Sequence, residues 1–328
     1  MANSKPAAKG SSPAEMTEFD YRKAKSNSFW HNTWKHRAYL VMALPAVIIM
    51  FLFNYVPMTG LVLAFKKYDM TKGIYGSPWN GLQNFKFLLA SKSTFLNMTK
   101  NTLMYYVIFT ALGTFLNVVL AIAIDQFAFK KVGKFMQTIM IIPIFVSFAA
   151  VQFIVMAYIG SSVGIVSNAL AANGHKIAFY RSPQYWPLIL TIVKMWNSVG
   201  YGSVLYMSVL AGVDTSLYEA AEIDGCTKFQ QLIHITIPQM TPIFFFNLIM
   251  GLIGTFQYFA EPMVLTKGGP ADSTMFYNLY LYKHAFQFRN MGYASALAWF
   301  LFAIVLILTL LVFKSSELWV FYESEVKK

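Results

Sequence analysis

The sequence predicts an all-α membrane protein that crosses the bilayer about six times, and three observations carry that prediction. Hydrophobic residues make up 57% of the 328-residue chain and charged ones only 12%, against the roughly 25% charged of a soluble domain. Apolar runs of about 20 residues recur along it, each about long enough to cross a ~30 Å hydrocarbon core. The net charge of +12 comes largely from basic residues flanking those runs. In a soluble chain it would suggest nucleic acid; here it suits anionic lipid headgroups, and no nucleic-acid partner is expected.

Several chemistries are excluded at once. Cys226 is the single cysteine, so no internal disulfide ties the loops. The five histidines are scattered without ligand spacing, so no metal site is expected. A phosphate-binding loop needs G-x-x-x-x-G-K-[ST], whose backbone N–H groups cradle phosphate. Gly133-Lys134 is followed by Phe135 and lacks the upstream glycine. The chain is therefore expected to have no catalytic residues and no nucleotide site of its own.

Residues 1–37 are polar, with a basic cluster at Arg22, Lys23, Lys25, Lys35 and Arg37. They read as a tail that approaches the membrane through Phe29, Trp30 and Trp34, since Trp favours the interface. The first apolar run starts too late for a cleaved signal peptide. Span 1 is expected from about Ala38 to Phe65, interrupted by Pro45 and Pro57. The polar stretch Lys66–Thr99 follows, with Gly73, Gly76, Pro78 and Gly81 as turn signals. Span 2 is expected over about Asn101–Ile124, and span 3 over about Phe135–Ile159 with a kink at Pro143. A Gly/Asn/Ser-rich loop covers 160–185, span 4 about Trp186–Ala211, span 5 about Pro242–Ala260 and span 6 about Gly292–Phe313. The organisation is thus a tail over 1–37, a first span with an external loop over 38–98, a transmembrane domain over 99–313 that contains the insert 214–241, and a C-terminal tail over 314–328.

That insert, Asp214–Pro242, is the longest polar interruption of the C-terminal half, and its start and stop signals nest tightly. Ser216 with Glu219 forms a capping box that predicts a helix from near Leu217. Gly225 is placed to end it in a left-handed conformation, which glycine adopts without steric cost. Thr227 with Gln230 forms a second box. The helix it opens is expected to stop before Pro238, because a residue preceding proline, here Ile237, disfavours the helical region. Thr241-Pro242 then restarts a helix with proline near its first position. The result is a helix–glycine–helix elbow between two spans.

The elbow resembles the EAA loop of binding-protein-dependent ABC importer permeases. Glu219-Ala220-Ala221, then Gly225, then Ile235 and Ile237-Pro238 fall at that loop's spacing. Cys226 stands where Ala is common, and Ile237 where Leu is usual. The resemblance implies a type-I ABC permease fold in the cytoplasmic (inner) membrane of a prokaryote, with both termini and the elbow cytoplasmic. It implies that Glu219, Ala220, Ala221, Asp224, Gly225, Ile235 and Pro238 dock the elbow on an ATPase. The partners implied are two ATP-binding subunits, a second permease chain and an extracytoplasmic solute-binding protein. ATP is bound by those partner subunits and no cofactor by this chain. Lys and Arg number fourteen on the side so assigned and eleven on the other, so orientation rests on the elbow more than on the positive-inside bias.

Polar side chains inside spans are costly and normally face a cavity or a partner. Lys194, Asn197 and Tyr201 fall on one side of span 4, and Asn247 and Tyr258 on one side of span 5. They are candidates for a substrate path, since amides and aromatics suit the hydroxyls and apolar faces of a sugar. The alternative is packing: Gly200, Gly202 and Ser203, or Gly251 and Gly254, let helices approach closely, and Lys194 could snorkel to the outer end. Gly81-Leu82-Gln83-Asn84-Phe85 resembles the "GLxNF" stretch of sugar-type permeases. Val264-Leu265-Thr266-Lys267-Gly268-Gly269-Pro270 with Thr274, Tyr280 and Ala285-Phe286 resembles a stretch of carbohydrate-importing ones. These resemblances imply a carbohydrate, in the first place an oligosaccharide. An acidic oligosaccharide, which Lys194 and Arg181 would favour, or another polar solute, stays open as cargo. An ion-driven secondary transporter is the rival of a different kind. It would want membrane-embedded carboxylates and inverted repeats, whereas Asp125 and Glu261 lie at span ends and no repeat is evident.

Overall fold

The computed structural model describes residues 33–34, 36–126 and 129–316. The expectations placed on Phe29 and Trp30, on the basic cluster up to Lys35, and on the tail beyond Ser316 lie outside them. Among the described residues the secondary structure is helical throughout, apart from one isolated antiparallel bridge between Lys66 and Trp79. Five stretches are long and apolar enough to cross a membrane: Arg37–Phe65, Lys92–Asp125, Pro183–Leu210, Thr241–Leu265 and Met291–Ser315. A sixth is a pair, Lys131–Phe145 and Phe148–Ile159, bent by 98°. Large apolar side chains such as Phe115, Leu188 and Phe302 remain exposed, the arrangement expected of helices solvated by lipid.

The chain divides into two compact units, residues 1–60 and 61–328. In the first, α1 (Arg37–Met50) runs into a π-helical turn over Phe51–Tyr55. Pro45 lies inside α1 and does not interrupt it. A 3₁₀ stretch, Val56–Phe65, then leads into the second unit.

The second unit begins with a folded loop before α2 (Gln83–Ala90). Asn84 donates to the carbonyls of Ala64 at 2.9 Å and Lys66 at 3.0 Å, and Gly81 supplies the left-handed turn before it at φ +58. α3 (Lys92–Asp125) starts at Lys92, well before the expected Asn101. The polar pattern of that first part concealed an inward side. Met98 is buried, and Phe95 sets its ring edge against Tyr277 and Phe300. At ~1.5 Å per residue, α3 is about 51 Å long, more than a bilayer core requires.

The expected kink at Pro143 is a full break between α4 (Lys130–Ile141) and α5 (Phe148–Ile159). Pro143 sits in a 3₁₀ turn, Ile142–Phe145; Val146 and Ser147 are extended, and the Ser147 hydroxyl caps α5 by accepting from the Ala150 N–H at 3.3 Å. A proline alone rarely bends a helix so far; here a neighbouring helix satisfies the opened backbone. After the short α6 (Ile165–Ala172), α7 (Trp186–Leu210) lies against the break. Asn197 of α7 donates to the Pro143 carbonyl at 2.8 Å. One turn on, a Cβ at Gly200 would lie 1.7 Å from the Met140 carbonyl oxygen. Only glycine allows that approach.

The elbow leads from α7 to α10 (Thr241–Phe256), by way of α8 (Thr215–Ile223) and α9 (Lys228–Gln231). Within the fifth stretch α10 ends at Phe256, and the chain turns before a short α11 (Ala260–Leu265). The Gly-Gly-Pro stretch is knotted by hydrogen bonds. Thr274, fully buried, meets Thr266 at 2.5 Å and donates to the Gly269 carbonyl at 3.0 Å. The loop then forms α12 (Tyr277–Tyr282), and α13 (Met291–Ser316) completes the bundle. Aromatic residues dominate the core: Tyr105, Phe109, Trp186, Tyr258 and Phe276 in one cluster, Phe256, Tyr277 and Tyr293 in another.

Candidate functional site

The elbow is built almost wholly from local bonds. Its first cap is Asp214, not the expected Ser216–Glu219 box. The Asp214 carboxylate accepts from the Ser216 N–H at 2.9 Å, so α8 begins at Thr215 instead of near Leu217. Asp caps as well as Ser and adds a negative charge at the positive end of the helix dipole. The Ser216 N–H, then its side chain, holds the Asp214 carboxyl below the ordinary carboxylate range. Gly225 ends α8 at φ +79, as expected. Its N–H donates to the Glu222 carbonyl at 3.1 Å and the Cys226 N–H to the Ala221 carbonyl at 2.9 Å, the paired bonds of a Schellman motif.

The second capping box forms as expected. Gln230 Oε1 accepts from the Thr227 N–H at 2.7 Å, and Thr227 Oγ1 from the Gln230 N–H at 3.3 Å. Two further bonds join the halves of the elbow. Lys228 pairs with Glu222 and holds that carboxyl below its usual range; Tyr218 and Thr236 meet through their hydroxyls at 2.9 Å. The expectation of a stop before Pro238 is corrected. A π-helical turn, Leu232–Thr236, carries the helical path through Pro238, and Ile237 is helical at φ −65, ψ −44. The wider turn makes room for a ring that an α-helix would clash with. The break falls at Met240, and α10 restarts with Pro242 in its first turn.

Of the docking residues expected, Glu219, Ala220, Asp224, Gly225 and Pro238 are exposed, and Ala221 and Ile235 are half-buried. Large apolar side chains of the elbow are exposed as well. Ile223 is 86% exposed and Phe229 68%. Their type would have placed them in a core, and sequence alone offered no signal against that.

A second feature lies between α3, α7 and α10: a cavity of about 460 Å³. Of the candidates for a substrate path, Lys194, Tyr201, Asn247 and Tyr258 line it; Asn197 does not, being buried and bonded to Pro143. From Lys194 to Tyr206 it follows about 18 Å of α7, at ~1.5 Å per residue. Toward the elbow, Asn247 donates to the buried Tyr206 hydroxyl at 2.7 Å. At the other end, the Lys194 ammonium lies 3.6 Å from the Glu261 carboxylate and 5.1 Å from the centre of the Tyr258 ring. Lys194 therefore turns to an acid rather than snorkelling alone, and Glu261, placed by sequence at a span end, is buried.

Span 2 contributes a wall that sequence reasoning missed. Thr110, Thr114 and Asn117 line the cavity, and their i, i+4, i+7 spacing is the signal that could have found them. Thr110 Oγ1 and Asn117 Oδ1 are buried without a partner in hydrogen-bonding geometry, and such groups are costly unless something polar meets them. The packing alternative holds for some glycines. A Cβ at Gly202 would lie 2.6 Å from Asn117 and one at Gly251 3.0 Å from Thr110, whereas Gly254 faces open space.

Residues 113–318 match the family described as the binding-protein-dependent transport system inner membrane component. The chain is 33% identical to the probable ABC transporter permease protein YesP of Bacillus subtilis (strain 168), over 86% of this chain and 91% of that one. It is 29% identical to the polygalacturonan/rhamnogalacturonan transport system permease protein YteP of the same organism, over 83% and 85%. Its structure superposes with a TM-score of 0.78 on a chain of a bacterial ABC transporter involved in the import of the acidic polysaccharide alginate. That match has 27% identity and covers 88% of this chain and 98% of the other.

Proposed function

The chain belongs to the binding-protein-dependent transport system inner membrane components, and on that premise we propose that it is one permease subunit of an ATP-driven importer of an oligosaccharide. The observation that carries the reading is continuity. The elbow joins the end of α7 directly to the start of α10, and those helices form two walls of the cavity. A force on the elbow is thus a force on both walls. In this reading an ATPase subunit grips α8 through Glu219, Ala220 and Asp224, and buries Ile223 and Phe229 on closing. The bonds between Lys228 and Glu222 and between Tyr218 and Thr236 keep the elbow rigid, so that closure tilts α7 and α10. The cavity then opens alternately to the two faces. Lys194, Tyr201, Asn247 and Tyr258, with Thr110 and Asn117, offer the polar groups that sugar hydroxyls require. A second permease chain completes the path, two ATPases bind the ATP, and a binding protein delivers cargo on the far face. Relatives that carry polygalacturonan, rhamnogalacturonan or alginate support a polymeric sugar as the source of that cargo.

Cys226 is exposed at the bend of the elbow and tests the arrangement. An impermeant thiol reagent is expected to leave it unlabelled in intact cells, to label it in opened membranes stripped of ATPase, and to be blocked when the ATPase is restored. Labelling of intact cells from outside would overturn the orientation, and labelling unaffected by the ATPase would overturn the docking.

A further inference from the structure

The cavity holds one charged lining residue among those described, Lys194, and its electrostatic setting is one-sided. Its partner Glu261 lies behind it, with a side chain 7% exposed against 30% for the lysine. The positive end of the pair therefore faces the cavity. The separation of 3.6 Å is beyond the ~2.7–2.9 Å of a charge-assisted hydrogen bond, so the ammonium keeps its donors for another acceptor. Around it stand the aromatic face of Tyr258, a residue 5% exposed, and, further along the wall, Thr110 Oγ1, buried without a partner.

From this geometry we infer that Lys194 selects for a sugar bearing a carboxylate, and that Glu261 sets how tightly that carboxylate is held. The inference rests on the reading of the cavity as a sugar path and names the class of sugar. A cargo carboxylate approaching from the cavity meets the ammonium first. It takes the donors that Glu261 does not reach, while ring hydroxyls meet Tyr258 and Thr110. The pairing also solves the opposite problem, because an unpaired buried carboxylate or ammonium is strongly destabilising, and each group neutralises the other until cargo arrives. Two carboxylates then share one cation. Their mutual repulsion keeps the site weak enough to release its cargo, as a transport site must.

The test uses the permease pair with its ATPases in lipid nanodiscs, without the binding protein, so that the binding protein's own selectivity does not intervene. Trigalacturonate and neutral galactotriose are the probes, and the readout is the ratio of their affinities. The wild type is expected to favour trigalacturonate. Lys194→Gln should reduce that ratio about tenfold or more, the change equivalent to about 1.4 kcal/mol, Lys194→Arg should largely retain it, and Glu261→Gln should raise it. Because Lys194→Gln strands a buried carboxylate, the double variant K194Q/E261Q guards against misfolding, and the ratio should fall there as well. An unchanged ratio in the double variant overturns the inference. A wild type that binds both sugars equally, or prefers galactotriose, also overturns it but leaves carbohydrate import standing. A wild type that binds neither, in a complex whose ATP hydrolysis is still stimulated by sugar-loaded binding protein, overturns the inference and leaves carbohydrate import standing.

Discussion

The elbow is held mostly by bonds between near neighbours in sequence, such as Asp214 to Ser216, Thr227 to Gln230 and Cys226 to Ala221, and its longest reach, Tyr218 to Thr236, stays within the elbow. The helices around the cavity are held by bonds between segments far apart in the chain, such as Asn197 to Pro143 behind it and Asn247 to Tyr206 in its lining. The two regions adjoin along the same helices, α7 and α10, and the contrast follows from what each must do. A part that transmits force to two walls gains from a shape fixed by its own backbone, independent of how the walls stand. A part that opens to one face and then the other gains from contacts between separate helices, which can be exchanged without refolding any of them.

The largest effect that would sharpen this contrast lies at the crossing of α7 with the broken span. Gly200→Ala puts a carbon where the Met140 carbonyl oxygen already sits, and overpacking of this kind typically costs about 1–3 kcal/mol, more when backbone must move. The detergent-solubilised chain is expected to lose several degrees of thermal stability. An unchanged melting temperature would show that the two helices are not in contact as described.

A smaller effect is expected at the floor of the cavity. Asn247→Leu removes the donor to a fully buried hydroxyl, which typically costs about 1–3 kcal/mol, whereas removing both partners is often nearly neutral. The double variant N247L/Y206F should therefore recover most of the stability lost in N247L. Failure to recover would mean that the two side chains act separately.

The smallest effect concerns pH. Asp214 and Glu222 are held below their ordinary values by the Ser216 N–H and by Lys228. Groups with lowered values contribute stability fully above the unfolded value, and lose it as pH falls through the folded one, below about 4. Hydrogen exchange across 214–231, corrected for its intrinsic pH dependence, should thus be flat from pH 5 to 8. A change inside that window would mean that something other than these carboxylates holds the elbow.

The same contrast explains what sequence could tell. Gly225 and the Thr227–Gln230 box were legible because each acts on its immediate neighbours, and so was the count of spans. Even within the elbow, two strong caps two residues apart compete, and only the structure shows that Asp214 prevails over Ser216. The π turn that carries the helix through Pro238 was illegible for a related reason, since local preference argues against it and only packing of the buried Gln231 and Thr236 supports it. In the cavity, residue type located Lys194, Tyr201, Asn247 and Tyr258. It could not tell that Asn197, on the same stripe, turns to the Pro143 carbonyl, because the broken span that opens that carbonyl is itself a product of α7 lying against it.

The central claim is that the elbow couples hydrolysis to transport without taking part in holding the bundle together, and Gly225 tests it most directly. Its φ of +79 is strained for any β-branched residue, while nothing lies within 4 Å of where a Cβ would project. Gly225→Val therefore alters the shape of the elbow without a clash elsewhere. The complex is reconstituted in vesicles with its ATPases and binding protein, and substrate-stimulated ATP hydrolysis is measured beside uptake. The variant is expected to assemble with normal yield and thermal stability, and to lose both activities. A Gly225→Val complex that hydrolyses ATP and imports sugar at the normal rate would contradict the account.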